Sequence, residues 1–189
     1  QNKAESESAA FFFGRKTKAV SKDTARPSKA FVKTNLVPRI KTVLDASHPD
    51  IRDSACVTLG RTGGAAEVKD LIRKMQDKSS NVRGAAVIGI GLLQCKEGIE
   101  PLLHVLKADS QAAKMRGGRE PEWGMRAMAA AALALCGENE KGEVKDALKK
   151  YSADTSVNKA IRVNATVALG LLKGDKEYCA DLLAHLKML

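Results

Sequence analysis

The chain has 189 residues, of which 44% are hydrophobic and 29% charged, and it carries a formal net charge of +10. This composition is typical of a folded globular protein and not of a disordered chain, and no apolar run approaches the roughly 18 residues that a membrane crossing needs. Aromatic residues make up only 4%, which disfavours the base-stacking platforms of single-strand nucleic-acid binding.

The first 35 residues differ from the rest of the chain in their charge. They hold eight basic and three acidic residues and so carry +5, half of the net charge. We expect residues 1–35 to form a basic arm that is irregular or ordered by a partner. Three adjacent phenylalanines cannot bury one another, and burial of each would contribute about 1.5–3 kcal/mol. The arm residues predicted to contact a partner are Phe11, Phe12, Phe13, Arg15, Lys16 and Lys18.

Two kinds of segment alternate along residues 36–189. One, which we call the A helices, has apolar residues at i, i+3 and i+7, the spacing of one helical face. The other, the B helices, has an apolar residue, then Arg, a small residue three positions on and an aliphatic residue seven positions after the Arg. The B segments read IRDSACVTLG, VRGAAVIGIG, MRAMAAAALA and IRVNATVALG. The predicted helices lie near 36–46, 50–61, 65–77, 81–94, 98–109, 122–136, 142–151, 158–172 and 176–188.

Glycines inside the B segments point to close helix packing. A glycine in a helix costs about 1 kcal/mol relative to alanine. Gly60, Gly89, Gly91 and Gly170 therefore indicate tight contacts between helices or helix ends.

The spacing between segments is regular. The first three A helices begin at Val37, Val68 and Ile99, two steps of 31 residues, and both Val37 to Arg52 and Val68 to Arg83 span 15 residues. Such a fixed period is the mark of a repeat architecture.

The segments Ile51–Gly60 and Ile161–Gly170 resemble the signature of HEAT repeats, in the short form of about 31 residues found in bilin-lyase-type repeats. The resemblance implies an all-α, right-handed α-solenoid of about four and a half helical hairpins over residues 36–189. It also implies that the arginine of each B helix orders the stack by bonding to a neighbouring repeat. These ladder arginines are Arg52, Arg83, Arg126 and Arg162.

An insertion interrupts the period before the third B helix. Residues 110–121 read SQAAKMRGGREP, and we expect a flexible, basic loop. Loops on a rigid repeat frame often carry binding residues, so we predict that Lys114, Arg116 and Arg119 contact a partner or a neighbouring copy. A mobile insertion without function remains the alternative.

The C-terminal segment predicts self-assembly. Its last A helix has apolar residues on more than one face and no B partner, so Leu183, Met188 and Leu189 are left for another contact. Docking of the arm of one copy onto this end of the next would give a ring or a filament. The alternative is that the arm caps its own first helix.

The four cysteines are widely spaced, so the sequence predicts no metal site of the CxxC type. Cys95 and Cys136 end consecutive B helices and form the expected disulfide pair, whereas Cys56 is expected to be a free thiol. The even count and the start at Gln1 favour an exported or extracellular protein, with a cytoplasmic one as the alternative.

No motif for catalysis or for a cofactor is present in the sequence. We therefore predict a scaffold without enzymatic activity that binds other protein chains, copies of itself first, and does not insert into membranes. A module that binds nucleic acid through the arm and the insertion, and a lyase-type enzyme subunit, remain as alternatives.

Overall fold

The computed structural model describes residues 28–172, in which all regular structure is helical. The helix from 176 to 188 predicted above lies outside these residues. The helices are α1 (Val37–Val43), α2 (Pro49–Thr62), α3 (Val68–Lys74), α4 (Ser80–Leu92), α5 (Ile99–Lys107), α6 (Ser110–Met115), α7 (Trp123–Cys136), α8 (Glu143–Ala153) and α9 (Lys159–Leu171).

The helices pair as predicted into helical hairpins that stack along the chain. The A helices α1, α3, α5 and α8 pack on the B helices α2, α4, α7 and α9, and each B helix packs on the next. The aliphatic residues seven positions after each arginine are all buried: Leu59, Ile90, Leu133 and Leu169. So are the small residues three positions after it: Ala55, Ala86, Ala129 and Ala165. The described chain is therefore an α-solenoid with one continuous core, as expected.

The B helices approach one another through glycines. A Cβ atom on Gly60 would lie 2.5 Å from the carbonyl oxygen of Gly89, and a Cβ on Gly89 would lie 2.7 Å from that of Cys56. Gly91 meets α7 in the same way, since its Cβ would lie 2.6 Å from the Cβ of Ala132. The prediction of tight contacts is confirmed for these three glycines, which set the distance between neighbouring hairpins.

The first helical stretch begins earlier than predicted. The hydroxyl of Ser28 accepts a hydrogen bond from the backbone N–H of Phe31 at 3.1 Å and so caps a helical turn. A π-helical turn, Val32–Leu36, then leads into α1. The prediction that the irregular arm extends to residue 35 is therefore wrong for residues 29–35, which are helical. Pro38 has no N–H to donate, so a regular α-helical ladder cannot run through it unbroken.

The insertion is more ordered than the flexible loop that we expected. Asp109 caps α6 by accepting hydrogen bonds from the backbone N–H groups of Gln111 and Ala112, at 3.0 and 3.1 Å. Ala112 is fully buried, and Arg116, just after the helix, is only 5% exposed. The expectation of a flexible loop is therefore wrong for residues 110–116. The six residues of α6 are too few to show a helical apolar period, so the hydrophobic pattern did not predict this helix.

Candidate interaction surfaces

The first ladder arginine joins two hairpins. The guanidinium of Arg52 donates to both carboxylate oxygens of Asp77, at 2.7 and 2.8 Å, and to the carbonyl oxygens of Ala46 and Ser47, at 2.9 and 2.8 Å. The side chains of Arg52 and Asp77 are 6% and 7% exposed. This bidentate pair fixes the end of α3 against the start of α2.

A second cation completes this cluster. The ammonium of Lys74, 7% exposed, lies 2.6 Å from Asp45 and 3.7 Å from Asp77. Hydrogen bonds from Arg52 hold the pKa of Asp77 below its ordinary value. Hydrogen bonds from Arg73 and then from Lys74 hold the pKa of Asp45 far below its ordinary value. Both carboxylates are therefore ionised in the folded protein at neutral pH.

These lowered pKa values predict acid sensitivity. Because the folded pKa lies below that of the unfolded chain, near 4 for aspartate, the stabilisation is complete above about pH 4 and is lost as the pH falls through the folded pKa. Urea unfolding between neutral and acidic pH should show this decline, and Asp77→Asn should make it shallower. Glu120→Gln, at an exposed position, is the matched control. If the free energy of unfolding of Asp77→Asn fell with decreasing pH as steeply as that of the wild type, Asp77 would not be a source of the acid sensitivity.

The second ladder arginine shares a carboxylate with the insertion. Arg83 donates to the carbonyl oxygen of Asp77 at 2.9 Å and to the carboxylate of Glu122. Arg116 donates to the same carboxylate and to the carbonyl oxygen of Met75, both at 2.9 Å. Burial is the main cause of the lowered pKa of Arg116. Arg116 thus anchors the insertion across the loop between α3 and α4.

The remaining ladder arginines differ from each other. Arg126 donates from Nε to the carbonyl oxygen of Leu106 at 3.0 Å, and its guanidinium lies 5.4 Å from the ring centre of Tyr151. The Nε atom of Arg162 is buried and has no hydrogen-bond partner among residues 28–172. Arg52, Arg83 and Arg126 therefore bond to neighbouring segments, and the described residues give Arg162 no such role.

The other predicted contact residues fall into three groups. Lys114 and Arg119 are exposed on the insertion, and Trp123, four residues after Arg119 in the sequence, is 59% exposed; tryptophan and arginine are common in interface centres. Arg116 is buried and forms its hydrogen bonds within the chain. The predicted contact residues that lie outside the described part are Phe11, Phe12, Phe13, Arg15, Lys16, Lys18, Leu183, Met188 and Leu189.

Cys56, Cys95 and Cys136 are free thiols in the structure, so the disulfide expected between Cys95 and Cys136 is not present in it. The sulfur of Cys136 lies 3.9 and 3.8 Å from the carbonyl oxygens of Ile90 and Gly91. Burial raises the pKa of Cys136 to about 12 and that of Cys56 to about 12. Both thiols are therefore protonated and weakly nucleophilic at neutral pH.

The outer faces of α7 and α9 expose aliphatic side chains. We call Met128, Leu135, Val167 and Leu171 the apolar row; they are 39%, 39%, 38% and 62% exposed. Leu135 and Leu171 occupy the same repeat position, nine residues after the ladder arginine. Because α7 and α9 pack side by side, the four side chains lie on one surface.

The first B helix carries polar residues at two of the three equivalent positions; the third, five residues after its arginine, is Val57. Two and nine residues after its arginine, α2 has Ser54 and Arg61, both exposed. Thr58 on the same face bonds its hydroxyl to the carbonyl oxygen of Ser54 at 2.7 Å. The repeat therefore does not require apolar side chains two and nine residues after the arginine. An exposed aliphatic cluster without a structural requirement marks an interaction surface.

Other kinds of site have no support in residues 28–172. No group of three or more potential metal ligands lies together in this part of the chain. None of its helices combines the length and the apolarity that a bilayer span demands.

The stacked hairpins define an all-helical repeat protein. Residues 36–117 match a family described as HEAT repeats, in agreement with the resemblance seen in the sequence. The hairpin α8–α9 continues the same architecture beyond the match. No curated protein matches the chain.

Proposed function

We propose that the chain is a non-catalytic protein-binding scaffold and that its partner is a second copy of itself. HEAT repeats generally mediate protein–protein interaction. The observation that carries the proposal is the apolar row on α7 and α9, which the repeat itself does not require.

The apolar row alone supports only weak association. Its side chains are about half exposed, so completing their burial contributes roughly 1 kcal/mol each and about 4 kcal/mol together. That corresponds to a millimolar dissociation constant before the entropy of association is subtracted. A stable complex therefore needs a further contact.

The arm offers that further contact. Burial of Phe11, Phe12 and Phe13 would add about 1.5–3 kcal/mol each, and the exposed cations Lys114 and Arg119 would supply polar contacts at the edge. In the finer form of the proposal, the arm of one copy docks beside Leu183, Met188 and Leu189 of the next. Contacts between two different surfaces repeat, so the assembly is a ring or a filament.

Serine substitution in the apolar row tests the proposal. Leu135→Ser with Leu171→Ser should shift the full chain towards the monomer in sedimentation velocity, because it removes the apolar contact while leaving the core untouched. The matched control is Val43→Ser with Ile51→Ser, at side chains that are 41% and 49% exposed on other helices.

Equal distributions for the wild type and the apolar-row variant would contradict the proposed surface. Binding of generic DNA or RNA with a steep salt dependence, unaffected by the same variant, would favour the nucleic-acid alternative instead.

A further inference from the structure

A groove of about 850 Å³ lies between the first helical stretch and the C-terminal ends of α2 and α4. We call it the basic groove. Three cations line it, Lys29, Lys33 and Arg61, and their side chains form no hydrogen bond or ion pair with another residue in the range 28–172. Unpaired cations around a concavity attract an anionic ligand.

The acid that lines the basic groove is already engaged. Glu67 has a side chain that is 8% exposed; it lies 3.1 Å from the ammonium of Lys41 and accepts a hydrogen bond from the backbone N–H of Gly64 at 2.9 Å. Lys41 also lies 2.9 Å from the carboxylate of Asp70, so Glu67 and Asp70 share this one cation. With Lys41 and the three lining cations counted together, four cations face two acids here, and the basic groove keeps an excess of positive charge.

The rest of the lining is aliphatic or small. Val32, Leu92 and Leu93 contribute apolar surface, and none of the lining residues in the described part of the chain is aromatic. Without an aromatic face there is no stacking platform for bases, whereas an aliphatic side chain fits against leucine and valine. The volume lies in the range of ordinary ligand sites.

We propose that the basic groove binds an acidic segment of another protein, with carboxylates on Lys33 and Arg61 and an aliphatic side chain against Val32 and Leu92. A chain of net charge +10 is poorly matched to this groove, so the occupant differs from the second copy that the apolar row binds. The inference therefore goes beyond the proposed function and does not depend on it.

The test is fluorescence anisotropy of the full chain with a short labelled peptide in which glutamates flank leucines. Lys33→Ala with Arg61→Ala should weaken binding roughly tenfold, since it removes the two cations that face the carboxylates of the peptide. Lys78→Ala with Lys159→Ala removes the same charge at exposed positions outside the groove lining and should weaken it far less.

A second pair of variants isolates the groove without removing a cation. A Cβ on Gly64 would meet no atom within 4 Å, and its φ of −156° is open to any residue. Gly64→Glu should therefore weaken binding several-fold more than Gly64→Gln, which has the same size.

Each other outcome overturns the inference. Equal losses in both double-alanine variants would indicate attraction by net charge alone. No binding of the acidic peptide would exclude the ligand class, and binding of oligothymidylate that is lost in the groove variant would assign the groove to nucleic acid. If Glu5→Gln with Glu7→Gln tightens peptide binding, the chain's own arm is the occupant. Sedimentation of the same variants stays unchanged in every case, so a failure here is separable from a failure of self-assembly.

Discussion

Replacing Gly60 by alanine is expected to lower the free energy of unfolding by about 2 kcal/mol. The new Cβ would lie 2.5 Å from the carbonyl oxygen of Gly89 and 2.7 Å from its Cα, and neither backbone atom can turn aside as a flexible side chain could. The helices α2 and α4 must then separate, which loosens the core between two hairpins. Alanine gains about 1 kcal/mol in helix propensity, so the contact loss exceeds that gain.

Gly124→Ala is the control, and its effect should have the opposite sign. Gly124 also lies in a B helix, yet a Cβ there would meet nothing within 4 Å. Alanine should stabilise the protein by up to about 1 kcal/mol. Urea unfolding measures both variants. A stabilising Gly60→Ala would contradict the close approach of α2 and α4.

Replacing Arg52 by methionine is expected to lower the free energy of unfolding by about 3 kcal/mol or more. The substitution keeps the apolar stem but removes the guanidinium donors to Asp77, Ala46 and Ser47. It leaves a carboxylate that is 7% exposed, with the backbone N–H of Ser79 at 3.0 Å and the ammonium of Lys74 at 3.7 Å. Breaking one side of a buried ion pair is far more costly than the pair's net contribution. Thermal and urea unfolding should show the loss directly.

Arg73→Met tests whether burial of the ion pair causes the large loss of stability expected for Arg52→Met. Arg73 also pairs with an aspartate, Asp45, at 2.8 Å, but the two side chains are 52% and 57% exposed. An exposed pair contributes about 0–1 kcal/mol, so this variant should remain close to the wild type. If Arg52→Met and Arg73→Met lowered the free energy of unfolding by similar amounts, burial would not determine how much an ion pair contributes to stability.

The repeat positions could be predicted from sequence because burial at each recurs with the period. The aliphatic residue of each B helix, such as Leu59 or Ile90, and the small residue, such as Ala86, are buried in the structure. Helix contacts at Gly60 and Gly89 also followed from the pattern, since a glycine within a helix needs a packing reason.

Features that depend on a single local contact were not predicted. The cap of Ser28 on Phe31 and the burial of Arg116 each occur once, so no period reveals them. The basic groove brings Lys33 beside Arg61 and Leu92, residues far apart in the sequence. Only the packed hairpins place them together.

The apolar row could have been found by comparing repeats. Leu135 and Leu171 stand where α2 has Arg61, so the change from charged to apolar is visible in the sequence. It was missed because apolar residues in an amphipathic helix are first assigned to the core. The distinction requires the exposed fraction of each side chain, which only the structure supplies.

The native mass of the full chain tests the central proposal most directly. Sedimentation equilibrium over a wide range of protein concentrations should give a mass above the 20.2 kDa of one chain and rising with concentration, because head-to-tail contacts add copies without limit unless a ring closes. A mass of 20.2 kDa at every concentration would contradict self-assembly.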